Sequence, residues 1–311
     1  MKKHTPRHIL FVFLDGVGIG PSDPAINPFF ATPMHSLRKM FSGWFPSSRS
    51  RRHVGKHAAC VPLTVTMGVP GLPQSGTGQS ALYSGLNTAK IIGKHFGPYL
   101  YSSLKPLLAR QNIFRRILNI EPGSSLALAN AFPHHFFTYL EKHRGRYVAG
   151  VFSALQSDLP LRTLHHLRKQ TAVSTDLTGK GWHRLGITNA PVISPYEAGK
   201  RLAKIATLNR FTLFEYFLTD KAGHQRDRYA AAHYIEELDA CFQGILDSMN
   251  PRTLLCITSD HGNLEDLRIK THTRNPVPLF LVGPGAQRIA GKVHTITDIT
   301  PAIVELSTEA D

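Results

Sequence analysis

Three short apolar runs along the chain share one design. Residues 9–14 are apolar throughout and run into Asp15. Residues 211–218, interrupted only by Thr212 and Glu215, run into Asp220, and residues 254–258 lead through Ser259 to Asp260. Near-continuous apolar runs of this length, bounded by turn residues, predict strands buried on both faces of a parallel sheet. Each Asp has a glycine close behind it: Gly16, Gly223 and Gly262. In open α/β sheets, ligands bind beyond the carboxyl ends of the strands. Three strands that end in Asp therefore predict three carboxylates at one rim.

Between these runs the apolar spacing becomes helical. Ile235, Leu238, Phe242, Ile245 and Leu246 put an apolar stripe on residues 230–249, and Ile299, Ile303 and Val304 do so on residues 297–306, where Pro301 is tolerated in a first turn. Residues 279–282 form a further apolar run behind a rigid Asn275-Pro276-Val277-Pro278 entry. From about residue 91 to 195 the character changes. Helical patches at 102–120 and 162–171 alternate with Pro- and Gly-bearing loops, and no apolar run there ends in Asp. This middle reads as an insertion, a cap between two halves of a core.

Composition narrows the picture. With 311 residues, 42% apolar and 18% charged, the chain can bury a large core. The formal net charge of +15 favours anionic partners without choosing among them. The Ser/Arg-rich stretch 45–57 reads as an exposed loop; it lacks the interleaved aromatics of a single-strand nucleic-acid surface. A catalytically silent nucleic-acid binder would use this charge but leaves the Asp-terminated strands without a purpose, and it ranks below an enzyme. Cys60, Cys241 and Cys256 form no CxxC pair or disulfide framework, which fits a reducing compartment. Met1-Lys2-Lys3 ahead of the first apolar run imitates a signal peptide, but the run is short and ends in Asp15. No stretch reaches the roughly 18 apolar residues of a membrane span. The expectation is a cytoplasmic protein.

The chemistry-bearing residues gather in few places. Residues 71–85 pass from a Gly/Pro-rich turn into small helix-compatible residues and carry Ser75, Thr77 and Ser80. A hydroxyl at such a helix start sits near unpaired backbone N–H groups, which favours an alkoxide and a bound anion, although the same position suits a capping residue. Asp220 and His224 stand four apart, Asp260 and His261 are adjacent, and His272 lies between two threonines. Any single one of the 17 histidines counts for little; pairing with strand-end Asp residues raises the odds. Mixed Asp/His sets suit Zn, Mn and similar divalent ions.

Taken in order, Asp15-Gly16, a Ser in a Gly-rich turn, Asp220-x-x-x-His224, Asp260-His261-Gly262 and His272-x-x-Asn275-Pro276-Val277-Pro278 resemble the alkaline phosphatase superfamily. The similar branch holds cofactor-independent phosphoglycerate mutase and phosphopentomutase. The resemblance covers about residues 8–90 and 205–308. It implies an α/β protein with a three-layer α/β/α core and a mostly parallel sheet, built from 1–90 and 200–311, with 91–199 as an inserted cap. It implies two divalent ions, Mn or Zn, with Asp220, His224 and His272 holding one and Asp15, Asp260 and His261 the other. Ser75 is the implied nucleophile, in contact with the metals, because it lies ten residues before the glycine that Gly85 matches. Thr77 is the fallback, and Ser80 stands too far into the helix. The implied activity is phosphoryl transfer on a small anionic phosphate ester through a phosphoserine, as phosphohydrolase or phosphomutase, with sulfatase or phosphodiesterase chemistry as the alternative within the superfamily. Two features depart from the mutase pattern: the middle is shorter, and Gln79 stands where the phosphoglycerate mutase motif has His.

Overall fold

β1 (His8–Leu14) alternates its side chains between two buried surfaces, which explains why its sequence is apolar without interruption. Ile9, Phe11 and Phe13 enter one core, while Leu10, Val12 and Leu14 enter the other. The computed structural model describes residues 5–143 and 145–308; Met1-Lys2-Lys3, ahead of the first run, lies outside them. The other strands are β2 (His53–Val54), β3 (Ala58–Leu63), β4 (Leu126–Leu128), β5 (Asn130–Ala131), β6 (Val173–Ser174), β7 (Phe211–Tyr216), β8 (Thr253–Thr258) and β9 (Val277–Val282).

Seven of them form one sheet in the order β2-β3-β9-β8-β1-β7-β4. β8, β1, β7 and β4 pair in parallel, and β9, β3 and β2 add antiparallel pairings at the other side. Helices cover both faces. On the Phe11 face lie helices Ser75–Ser84, Ile113–Ile120, Ala149–Gln156 and Ile299–Thr308; on the Leu10 face lie Pro195–Thr207 and Arg228–Ser248. The fold is the α/β arrangement that the runs predict, a mostly parallel sheet between two helical layers.

Boundaries differ from the sequence reading where local signals compete. β7 stops at Tyr216, and residues 218–225 turn into a helix (Leu218–Gln225), so Asp220 sits in a first helical turn rather than at a strand end. The patch at 102–120 is split at Asn112, which closes helix Lys105–Gln111 and whose Oδ1 accepts from Arg115 N at 3.0 Å to open the next helix. Within residues 91–199, β4 joins the main sheet, whereas β5 and β6 form a two-stranded sheet over a small separate core of Ala131, Leu167, Ala172, Trp182 and Ala190. Asn130 links the two parts by exchanging hydrogen bonds with the Glu215 backbone at 2.8 and 2.9 Å. Among the described residues, no helix is long and apolar enough to cross a membrane.

Glu215, the polar interruption in the second apolar run, is buried and accepts a hydrogen bond from Tyr83 OH at 2.8 Å. Burial, opposed by that hydrogen bond and reinforced by Asp15, raises its carboxyl from 4.5 to about 7. A carboxyl that holds its proton more tightly in the folded chain favours folding while protonated. That advantage is lost as pH rises through this window. Glu215→Gln removes the titration, so urea-unfolding curves of the two proteins should diverge by up to about 3 kcal/mol between pH 4.5 and 7.5, the unaltered chain losing ground as pH rises. Parallel pH profiles would contradict this assignment.

Candidate metal centre

The carboxyl ends of β1, β7 and β8 lie side by side, and the segments that follow them are tied together by short hydrogen bonds. Asp15 N donates to Tyr216 O at 2.9 Å, Thr219 Oγ1 donates to Asp15 O at 2.6 Å, and Val17 N donates to Ser259 Oγ at 2.9 Å. Gly16 makes the close approach possible. It has φ +70°, and a Cβ there would stand 2.6 Å from Asp220 Oδ1.

Two trios of side chains that could hold a metal ion result: Asp220, His224 and His272, and Asp15, Asp260 and His261. Within each, one ligand atom per residue lies within 4.8 Å of the other two. In the first trio, His224 Nε2 is 3.2 Å from Asp220 Oδ2, and His272 Nε2 is 3.6 Å from Asp220 Oδ1. The helix at Leu218–Gln225 puts Asp220 and His224 on one face by their spacing of four. In the second trio, His261 Nε2 is 3.3 Å from Asp15 Oδ1 and 3.6 Å from Asp260 Oδ2. The trios adjoin, because the rings of His261 and His272 stack with centroids 3.7 Å apart.

Ser75 opens helix Ser75–Ser84, and its Oγ lies 2.9 Å from His261 Nε2. Thr77 and Ser80, on the same helix, turn elsewhere. The Thr77 hydroxyl donates to Gln74 O at 3.1 Å and accepts from Phe96 N at 3.2 Å, and Ser80 Oγ donates to Gly76 O at 2.5 Å. Thus all seven residues singled out in the sequence meet at one rim, with Ser75 as the hydroxyl that faces the cluster.

Whether a cation fits can be judged from the donor atoms. His272 Nδ1 is 2.7 Å from Pro73 O and His224 Nδ1 is 2.7 Å from Lys270 O, so each ring donates its Nδ1–H to a carbonyl. Their Nε2 atoms then present lone pairs to one another at 3.1 Å. Two facing lone pairs repel unless a Lewis acid lies between or beside them. In the second trio, Asp15 Oδ1 and both Asp260 carboxylate oxygens are buried without hydrogen-bond partners, a state that costs free energy unless an ion compensates it. Burial, opposed in part by His261, pushes both carboxyls above the ordinary carboxylate range. For His261 burial works against the cation, but Asp260, Asp15 and Asp220 outweigh it and raise the imidazole to about 10. Burial and the charge on His261 push His272 down to about 4. The donor set fits divalent metal at both trios.

A family model of the metalloenzyme superfamily matches residues 186–308, the stretch that carries Asp220, His224, Asp260, His261 and His272. Over that stretch the chain is similar to the metalloenzyme superfamily. Asp15 and Ser75 lie outside the matched stretch, and the fold brings them beside its Asp and His residues. A 2,3-bisphosphoglycerate-independent phosphoglycerate mutase of Methylobacillus flagellatus is 29% identical over 126 residues, 37% of this chain and 24% of the relative. A phosphopentomutase of Methylobacterium radiotolerans is 38% identical over 102 residues, 32% of this chain and 25% of the relative. The chain thus matches about a quarter of the length of these mutases. An alkaline phosphatase from the Antarctic bacterium TAB5 shares the fold at a TM-score of 0.56, with 12% identity and coverage of 100% of both chains.

Sequence reasoning missed the polar residues behind the trios. Asn263 Nδ2 donates to Asp220 Oδ1 at 2.7 Å, and Glu265 is fully buried among the same loops. A cavity of about 490 Å³, lined by Phe132, Phe137, Leu164, Trp182 and Ile187 among others, includes none of the trio residues.

Gly16→Ala should cost about 1–3 kcal/mol in urea unfolding, through its left-handed backbone and the contact with Asp220. An unchanged midpoint would contradict the requirement for a bare backbone at this position.

Proposed function

We propose that this chain transfers a phosphoryl group from a small anionic phosphate ester, using two divalent ions and Ser75 as nucleophile. The observation that carries the reading is the position of Ser75 Oγ, 2.9 Å from His261 where the two trios adjoin. Asp220, His224 and His272 would hold one ion and Asp15, Asp260 and His261 the other, with the Ser75 oxygen within reach of them. Mn and Zn suit this oxygen and imidazole set. Such ions, when bound, lower the pKa of a neighbouring hydroxyl and offset charge on the attacking and leaving oxygens of an in-line displacement.

The chain's own residues account for the rest. The N-terminal end of helix Ser75–Ser84 carries partial positive charge beside the incoming phosphate. Ser75 Oγ gives up its proton and bonds to phosphorus as the bond to the ester oxygen breaks, and the leaving alkoxide takes up one proton in balance. The phosphoserine then passes its phosphoryl group to water, in a hydrolase, or to another substrate hydroxyl, in a mutase. Names of partial relatives favour a mutase, and the fold likeness to an alkaline phosphatase keeps the hydrolase in play. We assign the cap to the part of 91–199 that stands outside the main sheet, since a mutase must keep water from the phosphoenzyme. Three free, buried thiols are compatible with a cytoplasmic setting.

Ser75→Ala should lower turnover by about 10³-fold or more while leaving metal content unchanged. The unaltered chain, incubated with phosphosugars and phosphoglycerates over Mn or Zn, should release free phosphate if a hydrolase or isomerised ester if a mutase. Full activity in Ser75→Ala, or no turnover of any phosphate ester by a metal-loaded chain, would contradict the proposal.

A further inference from the structure

One carboxylate outside both trios touches the loops that carry them. Glu265 has no solvent exposure. Its Oε2 accepts from Gly18 N at 3.0 Å and from Asn263 N at 2.7 Å; its Oε1 accepts from Asn275 Nδ2 at 3.0 Å and from the Thr273 hydroxyl. These donors come from three separate segments. Gly18 lies just beyond Asp15, Asn263 just beyond His261, and Thr273 is the neighbour of His272. Asn263 extends the contact to the remaining carboxylate, since its Nδ2 donates to Asp220 Oδ1 at 2.7 Å and to Asp220 O at 3.1 Å. The backbone is shaped around this group. A Cβ on Gly18 would stand 2.3 Å from the Glu265 carboxyl carbon, and one on Gly262 would stand 2.2 Å from Oε1.

We propose that Glu265 is a positioning residue that couples the two trios, so that the affinities for both ions depend on it together. The inference rests on the two-metal reading above. The physical reason lies in acceptor count. A carboxylate has lone pairs enough for four donors and no hydrogen of its own. A glutamine in its place turns an NH₂ toward groups that are themselves donors, and the two loops it faces must separate. Ligands that move by a fraction of an ångström no longer converge, and outer-shell partners of this kind typically affect metal affinity by about 10–100-fold.

The test is calorimetric titration of the metal-free chain with Mn²⁺, with folding followed by circular dichroism. The unaltered chain should take up two ions; uptake of none would overturn the two-metal reading itself. Glu265→Gln, folded, should bind both ions about 10–100-fold more weakly. Unchanged affinities, or a loss at one ion only, would overturn the role of Glu265 while leaving the two-metal reading intact. Asn112→Ala, which removes a buried helix cap that touches neither trio, serves as the control for general destabilisation and should leave both affinities unchanged. An equal loss there would reduce the effect to general destabilisation and overturn the proposal. Should Glu265→Gln not fold, Thr273→Val removes a single donor and should weaken both ions about fivefold; a loss confined to one ion counts against the coupling.

Discussion

Three carboxylates converge in a space that water barely reaches, and the molecule is arranged around that electrostatic constraint. Asp15 and Asp260 are buried and Asp220 nearly so, and the two buried ones keep oxygens without hydrogen-bond partners. Such a cluster is costly unless positive charge joins it. Three imidazoles surround it, two of them held by backbone carbonyls so that Nε2 faces inward. The whole set has the donor chemistry of a divalent-metal site.

The parallel sheet brings these residues together at little cost in local strain. β1, β7 and β8 run in the same direction and lie adjacent, so residues hundreds of positions apart finish at the same rim. Buried on both faces, the strands give that rim a rigid base. The loops beyond it are in turn held by hydrogen bonds to Ser259, Thr219 and Glu265. Ser75 reaches the site from a different direction, at the start of a helix whose Tyr83 is anchored to Glu215 of β7.

How much of this was legible in the amino-acid order depends on the range of the interaction. β1 and β8 could be read because burial on two faces leaves a continuous apolar run. The candidate ligands stood out because Asp and His cluster just beyond such runs. The apolar pattern overshoots β7 by two residues: Leu218 continues the pattern but begins a helix, which places Asp220 and His224 one turn apart. β3 and β4 left weaker traces, one containing Pro62 and the other only three residues long. Glu265 had no local signature. Its partner Gly18 is 247 positions away, and such a contact leaves no periodicity in the sequence.

The central claim is that both trios are metal sites with the Ser75 hydroxyl beside them. Anomalous X-ray scattering from crystals of the chain grown with Mn²⁺ or Zn²⁺ tests it most directly. The account predicts two peaks, one bounded by Asp220, His224 and His272 and one by Asp15, Asp260 and His261. Peaks elsewhere with both trios empty, or a Ser75 side chain turned away from occupied sites, would contradict it.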